Sequence, residues 1–319
     1  MHNTDNELNE KTIIALREHV RRDAWDSFAE SIAQKRRGFE EHLQAPTPRD
    51  NWRHLLPTLK NDSIARVPMS LGNACAIRTY LEQFPVHEGP HIDCDPTNAH
   101  PLGILREKFP MACYRPDQVA RAPGLLDTLN DPRLLDLIEQ YMGCVPTLYS
   151  LNAWWTFPAK TPERMNVQYF HRDVDDWRFL TLFLYLTDVV DNSGPHQVIP
   201  GSHSMEGMKK LGGGMDCERS FAVGMGVEFS DDCQKRIGHH AVSIKGAAGT
   251  MFLVNTIALH RGLVPKVNPR LIVWARFGFG SNANSSDHIQ GPLTRRHIPL
   301  SLQDTPRNRY INRLFVNFS

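Results

Sequence analysis

The order of residue types along this chain predicts a mostly β fold of the sandwich or jelly-roll kind, with α-helices on its N-terminal side and flanks. Three observations carry that expectation. After Thr147, β-branched and aromatic residues recur in short runs, at 148–157, 165–171, 179–187, 197–200, 241–245, 250–254 and 270–279. Turn-forming clusters separate them: Asn192-Ser193-Gly194-Pro195, the stretch 246–249, and Val267-Asn268-Pro269. No helical period lies between successive runs, which argues against a parallel α/β sheet.

The helical elements come first along the chain. Over residues 8–43, Ile13, Leu16, Val20, Ala24, Phe28 and Ile32 recur at steps of three and four, the pattern of a helix face packed on the domain. Pro46 and Pro48 end that stretch. Residues 123–143 read as two short helices. Asp131 caps the second, Pro132 takes its first position, Leu134, Leu135, Ile138 and Met142 form its buried face, and Gly143 supplies a left-handed C-cap. Residues 204–240 interrupt the β pattern with an insertion that includes Gly212-Gly213-Gly214, expected to be a loop that closes over one mouth of the fold. The organisation expected is one domain over 1–319, with a helical segment at 1–60, a β core at 147–280 and the insertion at 204–240.

Composition narrows the partners. With 36 Lys and Arg against 35 Asp and Glu the net charge is +1, which argues against a nucleic-acid surface. The 41% hydrophobic content is enough for a substantial core. No apolar run approaches the ~20 residues needed to cross a bilayer; the best, 179–186, is short and interrupted by Thr181. The opening MHNTDNELNEK lacks the apolar centre of a signal peptide. Six cysteines without a CxxC pair read as free thiols in a reducing compartment, so the expected location is cytoplasmic.

The chemistry concentrates in His171-Arg172-Asp173. Residues two apart on a strand point the same way, so a His-x-Asp pair can offer an imidazole and a carboxylate to one metal ion. A set of two imidazoles and one carboxylate suits iron(II) and leaves three positions open. The pair alone is weak evidence. With 15 histidines and aspartate at roughly one residue in twenty, about one chance occurrence is expected. A second pair, His91-Ile92-Asp93, does occur, in the turn-rich segment GPHIDCDPTNAHP.

Context separates the two pairs. FHRDVDDWRFLTLFLYLTDVVDNSGPHQVIPGSHS (170–204) and GTMFLVNTIALHRGLVPKVNPRLIVWARFG (249–278), preceded by APGLLDTLNDPRLLDLIEQYMG (122–143), resemble the phytanoyl-CoA dioxygenase family of iron(II)/2-oxoglutarate-dependent oxygenases. The resemblance implies a double-stranded β-helix, the cupin-like form of the jelly roll. It implies His171, Asp173 and His260 as iron ligands and Arg270 as the salt-bridge partner of 2-oxoglutarate. Arg270 shares a strand face with Ile272 and Trp274, and its planar fork suits a carboxylate better than lysine would. Two departures stand out. Gly262 occupies a position where relatives often carry serine, and Phe183 stands where a tryptophan often contacts the co-substrate.

The implied reaction consumes molecular oxygen, releases succinate and carbon dioxide, and hydroxylates a C–H bond of a small molecule. Desaturation, ring closure or dealkylation at the same site, or a cupin-like binding protein without turnover, are the alternatives. Related halogenases lack the ligand carboxylate that Asp173 supplies here. No adenine- or phosphate-cradling motif is present, which favours a metabolite other than an acyl-CoA. Of the remaining candidates, His196 and His203 read as turn residues and His239-His240 as surface. Trp154 and Trp155 point to opposite faces of their strand, and Thr181, Phe183 and Tyr185 share one face of theirs.

Overall fold

Alternation of apolar and polar residues is nearly absent from the three longest central strands, because both faces of their sheet are covered. The computed structural model describes residues 22–43, 45–70, 72–89, 98–104, 109–158, 166–173, 175–211, 231–280, 293–299 and 301–318. In chain order the strands are β1 (Ile64–Ser70), β2 (Val86–Glu88), β3 (Ala99–His100), β4 (Met111–Cys113), β5 (Thr147–Thr156) and β6 (Phe179–Tyr185). They continue with β7 (His196–Val198), β8 (Val242–Ile244), β9 (Thr250–Val254), β10 (His260–Gly262) and β11 (Arg270–Gly278), and a short parallel pair, Leu293–Thr294 with Val316–Asn317, follows. Eight of them form one antiparallel sheet in the order β1-β9-β6-β11-β5-β4-β2-β3, and β10-β7-β8 form a second.

The small sheet lies over one face of the large one. Val198 and Ile244 from the small sheet share a buried cluster with Phe183, Tyr185, Phe252, Val254, Ile272 and Trp274 from the large sheet. The opposite face carries Leu151, Ala153, Trp155, Leu182, Leu184, Leu253, Leu271 and Val273 into the main core, where helices cover it. This is the mostly β, two-sheet architecture that the residue pattern predicts, although the large sheet does not close into a barrel. The predicted helix pair is present at Leu125–Leu129 and Pro132–Met142. Asp131 accepts from the backbone N–H groups of Arg133 and Leu134, and Gly143 is left-handed at φ 77°.

Three expectations change. The run 165–171 is not a strand: residues 159–165 lie outside the described residues, Asn166–Gln168 is a 3-10 turn, and His171 makes only an isolated bridge to His260. A ladder cannot extend there, because the Gln234 side chain already accepts from the Phe170 N–H. The N-terminal helix, described over Arg22–Phe39, buries Trp25, Ala29 and Ala33 while Ala24 and Phe28 are exposed, so its face is rotated by one residue from the expected one. Trp25 has more apolar area to hide than any residue of the expected stripe, and it packs edge-on against Trp177. Ile13, Leu16 and Val20 fall outside the described residues. Finally, β1 lies outside the predicted strand runs and contains Pro68. It sits on the edge of the sheet, where the register with β9 slips between Arg66 and Ser70, one of the places a strand tolerates proline.

Of the insertion, helices Met205–Lys210 and Asp231–Gly238 are described, while 212–230, with Gly212-Gly213-Gly214, lies outside the described residues. So does His91-Ile92-Asp93.

Candidate metal centre

Two stretches of extended backbone run side by side at one end of the sheets. His171 and His260 exchange both backbone hydrogen bonds, at 3.0 and 3.1 Å, and the Asp173 N–H donates to the Thr256 carbonyl at 2.9 Å. This pairing, not a strand ladder, sets His171 and Asp173 on one side and brings His260 beside them. The turn Pro200-Gly201-Ser202-His203 fixes the second stretch. The Ser202 hydroxyl donates to the Ile199 carbonyl and accepts from the Leu259 N–H, both at 2.7 Å, one residue before His260. Arg172, buried between the two candidate ligands in sequence, donates to the Ser202 carbonyl at 2.7 Å and to the Ile257 carbonyl, which ties the turn to the pair.

One potential ligand atom from each of His171, Asp173 and His260 lies within 4.8 Å of the others. Nε2 of His171 is 3.7 Å from one Asp173 oxygen, and Nε2 of His260 is 3.7 Å from the other. Each histidine turns Nδ1 to a main-chain carbonyl, Tyr169 at 2.8 Å and Ala258 at 2.9 Å. A carbonyl only accepts, so the proton sits on Nδ1 and the Nε2 lone pair faces inward, as metal coordination requires. Burial first, and the neighbouring His171 second, push His260 down to about 3, so its ring is neutral near pH 7. Burial alone would raise the Asp173 carboxyl, but Arg276, His260 and His171 outweigh it and hold Asp173 well below the usual carboxylate range. The donor set therefore fits a divalent ion of the iron(II) kind.

A second cationic position stands along β11. Arg270 is buried, donates to the Gly194 carbonyl and to Thr156 Oγ1 at 3.3 Å, and has no partner for Nε among the described residues. Burial lowers its pKa, yet a guanidinium stays charged. A buried cation facing only neutral acceptors is costly unless an anion joins it, so the position fits a ligand carboxylate. Gly194 shapes this end. Its φ is 65°, and a Cβ there would meet the Leu263 carbonyl at 2.2 Å. Gly262 does likewise, since a Cβ would lie 2.8 Å from Arg270 Nη2; the side chain that seemed to be missing is space the guanidinium fills.

Between the two positions, Phe183, Tyr185, Phe252, Ile272 and Trp274 form an apolar wall. The face of Thr181, Phe183 and Tyr185 thus points toward the small sheet: Thr181 meets Thr256 at 3.1 Å, Phe183 lies against His196, and the Tyr185 hydroxyl donates to the Ile244 carbonyl. Trp155 is in the main core, while Trp154 packs edge-on against Trp274 on the site side. His203 contacts Ser63 through Nδ1, and His239 and His240 are exposed. Two residues near the centre have places that the sequence did not assign: Arg276, and His196, which is not the turn residue expected but opens β7 and is buried. Arg276 pairs with Asp173 at 2.8 Å and Asp175 at 2.7 Å, and the His196 ring stacks 5.5 Å from that of His260. Counting six residues along the face from Arg270 would have flagged the first.

A mostly antiparallel β protein that gathers two histidines and an aspartate in this way is of the class that binds one metal ion with positions left open. Residues 115–263, a little under half of the chain, match the phytanoyl-CoA dioxygenase (PhyH) family model, which supports an iron(II)- and 2-oxoglutarate-dependent oxygenase. The matched segment contains His171, Asp173, His260 and Gly262 and ends before Arg270. No curated protein matches the chain. Solved structures similar to it include the non-heme alpha-ketoglutarate-dependent carbocyclase SnoK from nogalamycin biosynthesis, at 15% identity over 73% of this chain and 86% of that one, with a TM-score of 0.48. EctD from S. alaskensis with 2-oxoglutarate and 5-hydroxyectoine is 15% identical over 86% and 89%, TM-score 0.46. HygX from Streptomyces hygroscopicus with nickel, 2-oxoglutarate and hygromycin B is 14% identical over 71% and 86%, TM-score 0.43. Among the described residues no helix is long and apolar enough to cross a membrane.

Proposed function

We propose that the enzyme hydroxylates a C–H bond of a small metabolite, releasing succinate and carbon dioxide. In this reading His171, Asp173 and His260 hold the iron, and Arg270 holds the far carboxylate of 2-oxoglutarate with Phe183 beside it. The observation that carries the reading is the pairing of a neutral-histidine/carboxylate cluster with a buried arginine that lacks an anion, on one apolar wall. Iron(II) and 2-oxoglutarate supply the oxidising chemistry when bound. The chain supplies the rest. Two Nε2 lone pairs and one carboxylate leave a divalent ion with one net positive charge, which a dianionic co-substrate exceeds by one. Arg270 meets that remaining charge away from the metal, and its fork fixes which carboxylate it receives. Phe183, Phe252 and Trp274 exclude water from the space between, where electrostatic contacts are then stronger. Asp173 fills the carboxylate position, which favours hydroxylation over halogenation. Cys75, Cys113, Cys144 and Cys233 form no disulfide among the described residues, which supports a cytoplasmic setting.

The test is succinate release from 2-oxoglutarate with iron(II), oxygen and a panel of metabolites, followed by product mass. A metabolite that stimulates release and gains one oxygen atom is the expected result. Alanine at His171, Asp173 or His260 should abolish turnover and weaken iron binding. Retained iron and full turnover in all three variants, or loss of iron only on replacing His91 or Asp93, would place the centre elsewhere.

A further inference from the structure

We infer that His196 is a further binding residue for the co-substrate, donating a hydrogen bond from Nε2 to a carboxylate oxygen of 2-oxoglutarate. This rests on the reading of the site given above. His196 opens β7 and is 5% exposed, and its Nε2 has no hydrogen-bond partner among the described residues. Leaving such a group unsatisfied in the interior is costly, so beside the metal ligands it is a donor suited to a ligand oxygen.

Its place says which ligand. The ring lies 4.5 Å from Phe183, 5.5 Å from His260 at an interplanar angle of 28°, and 5.8 Å from Phe252. Across the small sheet His196 is paired in register with Gly262, the residue whose missing side chain admits the Arg270 guanidinium. His260, His196, Gly262 and Arg270 therefore form one continuous strip from the metal ligands to the free cation. A dicarboxylate with one end at the metal and the other at Arg270 must pass along it.

The ring is also held for this task. The Tyr185 hydroxyl accepts from the His196 N–H at 3.2 Å and donates to the Ile244 carbonyl at 2.8 Å, which pins the backbone from which the ring projects. A neutral imidazole carries one N–H and adds no charge to the site. A carboxylate offers only acceptors, so the tautomer protonated on Nε2 is the one that binds. His196 does not belong to the group of converging metal-ligand atoms, which contains His171, Asp173 and His260 alone among the described residues.

The experiment is calorimetric titration of 2-oxoglutarate into Mn(II)-loaded protein, with Mn(II) affinity measured separately. The variants are wild type, His196→Leu, His196→Gln and Arg270→Ala. A hydrogen bond to a charged group contributes about 1.5–3 kcal/mol, so His196→Leu should weaken 2-oxoglutarate binding by about tenfold or more at 1.4 kcal/mol per tenfold. His196→Gln, which places an amide N–H where Nε2 was, should recover most of that loss, with Mn(II) affinity unchanged in both. Wild-type affinity in His196→Leu, alongside weak binding in Arg270→Ala, would overturn the inference and leave the site reading intact. So would equal weakening in the Leu and Gln variants, or a loss of Mn(II) from them, because the ring would then be packing and not a contact. If wild type itself binds no 2-oxoglutarate, the site reading fails and the inference falls with it.

Discussion

Arg270 and Arg276 stand on the same face of β11, six residues apart, in very different company. Arg276 faces two carboxylates, Asp173 and Asp175, and its guanidinium lies 4.5 Å over the Trp274 ring. Arg270 faces a backbone carbonyl and a threonine hydroxyl, with no carboxylate within ion-pair reach among the described residues. The strand thus carries one arginine whose charge the protein has already matched and one whose charge it has not. The matched one frames the metal ligand Asp173 in our reading, and the unmatched one marks where an anion from outside belongs.

The comparison is broken most easily at Arg270. Removing one member of a buried ion pair costs about 3–5 kcal/mol, so Arg270→Ala should raise the half-saturating 2-oxoglutarate concentration by roughly two to three orders of magnitude while iron stays bound. Arg270→Lys should recover part of this, lacking the planar fork. Titrations of succinate release for the three proteins give the answer, and an unchanged curve for Arg270→Ala would hand the role to another cation.

Arg276→Ala should fail differently. It leaves Asp173 and Asp175 without their cation, and the loss of hydrogen bonds to charged groups costs about 1.5–3 kcal/mol in the metal-free protein. A divalent ion relieves the repulsion, so the gain in Tm on adding Mn(II) should be larger in Arg276→Ala than in wild type. Its 2-oxoglutarate affinity should shift far less than that of Arg270→Ala. Thermal melts with and without Mn(II) read the first effect, and the same titration reads the second. If both arginines moved 2-oxoglutarate affinity equally, the division of labour would be wrong.

What could be read in the sequence follows the range of the forces involved. The helix Pro132–Met142 was legible to its last residue because its cap, first-turn proline and left-handed glycine are neighbours in sequence. β9, at Thr250–Val254, was legible because its run of strand formers is flanked by turn residues. The convergence of His171, Asp173 and His260 was legible through motif order, although the strand proposed to carry the first two is a single bridge. The face of the N-terminal helix was not, since Trp25 and Phe28 both pack on Trp177 far along the chain and only Trp25 is buried. Nor was Arg276, whose meaning comes from Asp173 and Asp175, or His196, whose meaning comes from Gly262 opposite and Phe183 below. Each of these is set by a cross-strand or cross-sheet neighbour, which local pattern does not encode.

Gly262 offers the finest test of the contrast, because it alters the unmatched arginine without touching its charge. Nη2 of Arg270 would lie 2.8 Å from a Cβ at this position, with Cζ and Nη1 each at 3.7 Å, so any side chain obliges the end of the guanidinium to move. The movement is limited, since Arg270 is also tied to the Gly194 carbonyl and Thr156 Oγ1. Gly262→Ala should therefore displace the fork without removing it, and cost about 1 kcal/mol of 2-oxoglutarate binding, a factor of about five. Gly262→Ser imposes the same displacement but adds a hydroxyl beside the bound carboxylate. One net hydrogen bond returns about 0.5–1.5 kcal/mol, so the serine variant should bind more tightly than the alanine variant and close to wild type. The order wild type, serine, alanine in 2-oxoglutarate affinity, with Mn(II) affinity constant throughout, is the expected result. Alanine binding as tightly as glycine would mean that the guanidinium does not lie over residue 262 when the co-substrate is bound, and that the space there serves the fold instead.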